Sequence, residues 1–200
     1  WISLASEAVS LSSDISQMVL LSQNSFTQEE ANANDARQRL VGLGYFAVFA
    51  VTGITFLKWI HRANLNCHGF GAKDMRFTPG WAVGYYFIPF VNLVRPYQVM
   101  KEIWQVSKNP QNWLSVSAGG LVILWWSLQI ASGFLEQLSF RLAMHAESIF
   151  DLQIATLISI FSGVVGVVLC FVVISLVKTV AKMQETLVNQ SEQNVFPTSL

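Results

Sequence analysis

The sequence predicts an all-α protein, a multi-pass transmembrane helical bundle with an interfacial or re-entrant helical loop on the cytoplasmic side. Hydrophobic residues make up 52% of the 200 and charged residues 12%, against roughly a quarter charged in an ordinary aqueous domain. Too few charges remain to clothe a water-facing surface. Three stretches are long and nearly chargeless, each enough to cross a hydrocarbon layer of roughly 30 Å at about 1.5 Å per residue. Basic residues gather behind one side of those stretches.

Taken in order, 1–22 reads as the end of a first helix whose earlier part is missing. Leu4, Leu11, Ile15 and Met18 recur at helical spacing, while Glu7 and Asp14 are costly in hydrocarbon. A surface helix is the alternative. No basic start, short apolar core and small-residue cleavage site marks a signal peptide. An outer loop over 23–39 leads to the first full span, 40–60, whose one charge is Lys58. Segment 61–112 is a large polar loop. Within it, 77–96 is apolar but interrupted by Pro89, with Thr78 and Pro79 placed as N-cap and first helical residue. That length suits a broken, re-entrant helix. Stretch 97–107 is amphipathic: Tyr97, Val99, Met100, Ile103, Trp104 and Val106 share one half of the wheel, and Gln98, Lys101, Glu102 and Gln105 the other. Spans at 113–135 and 153–177 enclose an outer loop, 136–152, and a polar tail, 178–200, follows.

Charge orients these elements. With 77–96 kept on one side, nine of the twelve basic residues, Lys58 through Lys108 plus Lys178 and Lys182, share a compartment; Arg37, Arg39 and Arg141 face the other. Were 77–96 a span, the split would be five against seven and the bias would vanish. The positive-inside rule therefore places 61–112 and the C-terminus in the cytoplasm. Trp59, Trp81, Trp104 and Trp113 would then lie near the inner interface, where an indole buries its ring and still donates its N–H.

The runs Phe56-Leu-Lys-Trp59-Ile-His-Arg62-Ala63-Asn64, Phe77-Thr-Pro79-Gly80-Trp81-Ala-Val-Gly84, Phe87-Ile-Pro89-Phe-Val-Asn92-Leu-Val-Arg-Pro96 and Glu102-Ile103-Trp104 resemble a bacterial membrane family, the domain of unknown function 4328 family. The resemblance is closest over 40–135. It implies four membrane helices with a Trp-rich PGWAVG loop between the second and third. The family carries no assigned reaction, so no functional residue transfers from it.

No catalytic signature is present: HExxH, GxSxG, phosphate-loop and dinucleotide patterns do not occur. A net charge of zero gives no support to nucleic-acid binding. Cys67 and Cys170 read as free thiols, and His61, Cys67 and His68 match no structural zinc spacing. His145 lies across the membrane from them by topology, which argues against a bis-histidine haem. Trp125 and Trp126 fall near mid-bilayer, and no span holds paired acids suited to a proton relay. We therefore expect no enzyme activity, no metal and no cofactor.

Arg62, Asn64, Trp81, Asn92, Arg95 and Trp104 are the candidate interaction or lipid-binding residues. With Glu102, the polar ones either hold an anionic headgroup or satisfy backbone broken at Pro89. Small residues recur at Gly44, Ala47, Ala50 and Gly53, and at Ser159, Ser162, Gly163 and Gly166. Such stripes let helices approach, within the chain or with another subunit. The expectation is an accessory or scaffold subunit in a bacterial membrane, partnered by lipid and by other membrane proteins or itself. The alternative is a small transporter or lipid-interacting protein with the Pro89 loop as a re-entrant element.

Overall fold

A computed structural model describes residues 1–23 and 25–195. Its helices are α1 (Ile2–Leu21), α2 (Gln28–Gly69), α3 (Pro79–Gly84), α4 (Arg95–Lys108), α5 (Gly120–Met144) and α6 (Ile149–Val195), with 3₁₀ turns at Tyr85–Phe87, Val91–Leu93 and Pro110–Ser115. There are no strands among the described residues. Three helices, α2, α5 and α6, are long and apolar enough to cross a membrane. The part of the expected tail at 196–200 lies outside the described residues.

Several expected loops are helical. Segment 23–39 is helix from Gln28, because Thr27 and Glu30 form a reciprocal cap: the Thr27 N–H donates to Glu30 Oε2 at 2.7 Å and the Glu30 N–H to Thr27 Oγ1 at 3.2 Å. Ser148 and Asp151 repeat the device ahead of α6, at 3.0 and 3.2 Å, so 136–152 is helical except around His145–Ser148. Helix α2 continues through Gly69, α6 through the first part of the expected tail, and α5 starts at Gly120 rather than at Trp113. An apolar run marks where hydrocarbon is compatible, whereas caps and glycines decide where a helix stops.

Contacts divide the chain into two compact units. The first contains Trp1–Gly53 and Ser127–Phe171. Here α1 lies antiparallel to both α2 and α6. Along α1, Ser3, Glu7, Asp14 and Gln17 meet Thr52, Tyr45, Gln38 and Asn34 of α2 in descending order. Similarly, Glu7 and Leu11 approach Gly166 and Gly163 of α6, and Asp14 and Gln17 bond Ser159 and Thr156. Helix α5 joins α6 through Ser139 Oγ, which donates to the Ala155 carbonyl at 2.9 Å. The inward face of α1 is polar, with Ser13 buried, while Val9, Ile15 and Val19 are exposed. Of the stripe Leu4, Leu11, Ile15 and Met18, Ile15 is exposed and Leu11 packs on Gly163.

The second unit contains Ile54–Trp126 and α6 from Val172. Its core is Ile60, Ala63 and Cys67 of α2, Val99, Met100, Ile103 and Val106 of α4, Val122 and Trp125 of α5, and Val172, Leu176 and Val180 of α6. The i, i+1, i+4, i+7 spacing on α4 keeps these four on one face, the stripe that its amphipathic wheel requires. Its polar half is not all exposed, however: Glu102 and Gln105 are buried, because they serve the backbone of neighbouring loops. Cys67 is likewise buried at the end of α2 rather than in an open basic loop.

Gly119, just before α5, is held against the Trp104 indole, and a Cβ added there would fall inside the ring system. Gly119→Ala should destabilise the second unit by about 1–3 kcal/mol through overpacking. The measurement is thermal unfolding of the purified chain in detergent. The loss should shrink in a Trp104→Ala background, and an equal loss there would refute the contact.

Candidate functional site

The interrupted segment is assembled around Arg95. Thr78 sits at the N-cap of α3 with Pro79 next, and the single turn-and-a-half ends in the 3₁₀ turn Tyr85–Phe87. Pro89 then removes a donor, and Phe90 takes φ 63°, a left-handed value unusual for a bulky side chain. The Val91 N–H bonds the Pro89 carbonyl at 2.7 Å and the Asn92 N–H the Ile88 carbonyl at 2.9 Å, which closes the break locally. Arg95 turns back across the segment, its guanidinium 5.9 Å from the centre of the Phe77 ring and 5.7 Å from that of Tyr85. It also donates to Gln98 Oε1 at 2.9 Å. Trp81 stacks on Tyr85 at 5.3 Å.

The six candidate residues do not share one site. Trp81, Asn92 and Arg95 belong to this loop, and Trp81 and Arg95 meet through Tyr85. Arg62 is exposed on α2, Trp104 packs on Gly119, and Asn64 is fully buried with neither amide atom hydrogen-bonded. Trp126, expected near mid-bilayer, lies in the second turn of α5, where its Nε1 donates to the Leu93 carbonyl at 3.0 Å. That bond pins the loop to α5. Beyond it, Phe87, Phe90, Leu93 and Val94 remain exposed, Phe90 at 84%.

Glu102 serves the backbone ahead of α3 rather than the break at Pro89. Its two carboxylate oxygens accept the backbone N–H groups of Arg76 at 3.0 Å and Phe77 at 3.2 Å, so it closes the loop leading into α3. Burial pushes its carboxyl up from the ordinary range; the two backbone bonds and the nearby Arg76 and His68 charges oppose that shift. His68 Nε2 contacts the Phe77 carbonyl at 3.2 Å, and Trp113 Nε1 donates to the Lys73 carbonyl at 2.9 Å, closing the same loop. A cleft of about 290 Å³ opens beside it, lined by Arg76, Tyr97, Lys101, Glu102 and Trp113 among others. Deeper in this unit, Gln184 donates to the Ala63 carbonyl and Ser107 Oγ, both at 3.0 Å, and accepts from Asn66 at 2.9 Å. His61, Cys67 and His68 do not converge, and no group of three or more potential metal ligands occurs among the described residues.

The first unit holds a second constellation that reasoning from the sequence misses. Tyr45 Oη donates to Glu7 Oε1 at 2.8 Å, and the Glu7 carboxyl lies against Gly166, within 3.0 Å of where a Cβ would stand. Glu136 of α5 is in electrostatic range of both Glu7 and Tyr45, and accepts from Ser132 at 3.2 Å. Each acid lies on a different helix, so no single span displays the pair. The available signal was the seven-residue step from Glu7 to Asp14, which puts both on one face of α1.

Replacing Glu102 by Ala should cost about 2 kcal/mol, since the buried Phe77 N–H and the part-buried Arg76 N–H lose their acceptor. Glu102→Gln, which keeps one acceptor oxygen, should cost less. Because the folded-state carboxyl titrates above its unfolded value, its linked contribution to stability is fullest at low pH. That contribution falls as pH rises through the folded value. Thermal melts from about pH 4 to about pH 7 should therefore show a downward slope that Glu102→Gln flattens. Identical slopes would overturn the assignment.

No curated protein and no solved structure matches the chain. The family model of the domain of unknown function DUF4328 matches residues 23–182, which takes in the Arg95 loop, Glu102, Tyr45 and Glu136 and leaves Glu7 outside. The chain belongs to the DUF4328 family.

Proposed function

We propose that this is a non-enzymatic accessory or scaffold subunit of a bacterial membrane. In this reading α2, α5 and α6 span the bilayer, the Arg95 loop and C-terminus face the cytoplasm, and α2 presents a face to another membrane helix. The observation that carries it is a contrast between two glycine-bearing stripes. On α6, Gly163 and Gly166 are filled by Leu11 and Glu7 of the same chain. On α2, nothing lies within 4 Å of a Cβ added at Gly42 or Gly53, and an 18-residue apolar window contains no buried residue. Gly42, Phe46, Phe49 and Gly53 fall on one face of α2, with Phe46 68% and Phe49 61% exposed. Two aromatic knobs flanked by glycine notches suit a closely approaching helix, because lipid itself gives helices little hydrophobic drive to associate.

Gentle-detergent purification followed by native mass spectrometry should return this chain bound stoichiometrically to another membrane protein or to itself. A Gly42→Leu/Gly53→Leu variant should lose that partner by about tenfold or more, as expected when close helix packing is blocked. Bare monomers from both would end this reading.

The bond from Trp126 to Leu93 favours a second reading, a lipid-interacting protein with the Pro89 loop as a re-entrant element. It holds the loop beside the second turn of an apolar helix and leaves Phe87, Phe90 and Val94 uncovered. A fluorophore attached at Phe90→Cys should be quenched by nitroxides placed shallowly in the lipid chains. Quenching by an aqueous nitroxide alone would eliminate the re-entrant loop.

A further inference from the structure

We propose that the cleft beside Glu102 is a binding site for a small phosphate ester, held by Arg76 and Lys101. The cleft lies wholly within the second unit. One stripe of α4 forms its floor: Tyr97, Gln98, Lys101, Glu102 and Gln105 stand at i, i+1, i+4, i+5 and i+8, which keeps them on one helical face. Arg76 comes from the loop ahead of α3, and Trp113 from the 3₁₀ turn Pro110–Ser115. The bond from Trp113 Nε1 to the Lys73 carbonyl ties those two walls together, so the cleft is formed before anything enters it.

The hydrogen-bonding groups of the cleft decide the charge of what fits there. Each Glu102 oxygen already accepts a backbone N–H, and Gln98 Oε1 accepts from Arg95. What remains is mostly donors: the Arg76 guanidinium, the Lys101 ammonium and the Gln98 amide NH₂. None of these three groups makes a hydrogen bond or ion pair among the described residues. Against them stand the Gln105 carbonyl oxygen, whose amide NH₂ is spent on the Val116 carbonyl, and the Tyr97 hydroxyl, which can donate or accept. Lys101 is half-buried, which lays part of its stem against the protein and leaves its charge without a counter-ion.

The charges agree with the donors. Glu102 lies within electrostatic reach of Arg76 and offsets one of the two cations, which leaves a positive excess for a phosphate diester or monoester to neutralise. A guanidinium takes two phosphate oxygens side by side, and an ammonium adds a compact point charge. At about 290 Å³ the cleft sits at the lower edge of the roughly 300–1,000 Å³ usual for small-molecule sites. That volume suits a headgroup-sized ester rather than a nucleotide or a protein segment, and the Tyr97 and Trp113 rings give its organic part a surface to rest on. Such an ester arrives either as the headgroup of an anionic lipid or as a free metabolite, with the same recognition chemistry. The site is separate from the exposed residues around Pro89 and rests on neither functional reading above.

The test uses the full chain in phosphatidylcholine nanodiscs, titrated with glycerol 3-phosphate by isothermal calorimetry. A parallel set contains phosphatidylglycerol, and the lipids the protein retains are identified by native mass spectrometry. Saturable glycerol 3-phosphate binding would assign a free ester; selective retention of phosphatidylglycerol over phosphatidylcholine would assign a lipid headgroup. Arg76→Gln/Lys101→Gln should weaken whichever is seen by about tenfold or more. Lys178→Gln/Lys182→Gln, which removes the same charge from exposed positions on α6, should change it by less than about twofold. Gln98→Glu, which adds an anion to the floor, supplies the same loss if the first double variant fails to fold. Silence in both arms with the folded wild type would overturn the site. Equal losses in the two double variants would overturn it as well, since they would mean diffuse attraction to a basic surface.

Discussion

A polar group removed from water is costly unless it finds hydrogen bonds inside the protein, and the cost is greatest in hydrocarbon. Helix α1 is built on this constraint. Its polar side chains turn inward, with Ser3, Glu7, Asp14 and Gln17 meeting partners on α2 or α6, while Ile2, Val9, Ile15 and Val19 are left outside. In water such a helix would be inside out. Were lipid to cover that face, the exposed valines and isoleucines would cost nothing, and the polar ladder would be what locates the helix. Close approach at Gly163 and Gly166 brings the partners within bonding distance, so the glycines and the ladder depend on each other.

The same demand shapes the second unit by a different route. A loop that breaks a helix at Pro89 and approaches α3 through irregular backbone exposes several N–H and C=O groups. Glu102, Trp113 and Trp126 reach from later elements to satisfy them, at Arg76 and Phe77, at Lys73, and at Leu93. A carboxylate is well suited to two adjacent N–H groups, because a charged acceptor makes stronger bonds than a neutral one. The cost is its own desolvation, which is why its proton affinity rises despite two favourable bonds. The loop is fixed by side chains distant in sequence rather than by regular secondary structure.

How far the sequence reveals this depends on whether a signal is local. The apolar runs of α2, α5 and α6, the Thr78–Pro79 start and the Pro89 break can all be read from neighbouring residues. So can the apolar stripe of α4. The burial of Glu102 cannot, because a wheel assigns it to the polar half and only the loop at Arg76 and Phe77 explains its position. Helix lengths beyond the apolar runs were partly legible, since Thr27–Glu30 and Ser148–Asp151 are recognisable caps that hydropathy alone passes over. The Glu7–Tyr45–Glu136 group was illegible for a topological reason: its members come from α1, α2 and α5, and nothing in one chain of letters pairs those faces. Of the candidate residues, Trp81 and Arg95 were linked by the fold, whereas Asn64 went into the core and Trp104 onto Gly119.

The two glycine-bearing stripes sharpen what this arrangement can do. Similar composition on α2 and α6 has opposite fates, and the difference lies in what α1 can reach. Helix α1 has two neighbours, and it uses α6 for its closest approach, with Leu11 and Glu7 seated over glycine. It meets α2 through side-chain hydrogen bonds, between Ser3 and Thr52, from Tyr45 to Glu7 and from Gln38 to Asp14, rather than over a glycine. Gly42 and Gly53 therefore serve no contact with α1, yet each carries the roughly 1 kcal/mol that glycine costs in a helix interior relative to alanine. Retaining that cost on a face that also bears two exposed phenylalanines is intelligible if another helix rests there. Lipid alone would be met equally well by alanine.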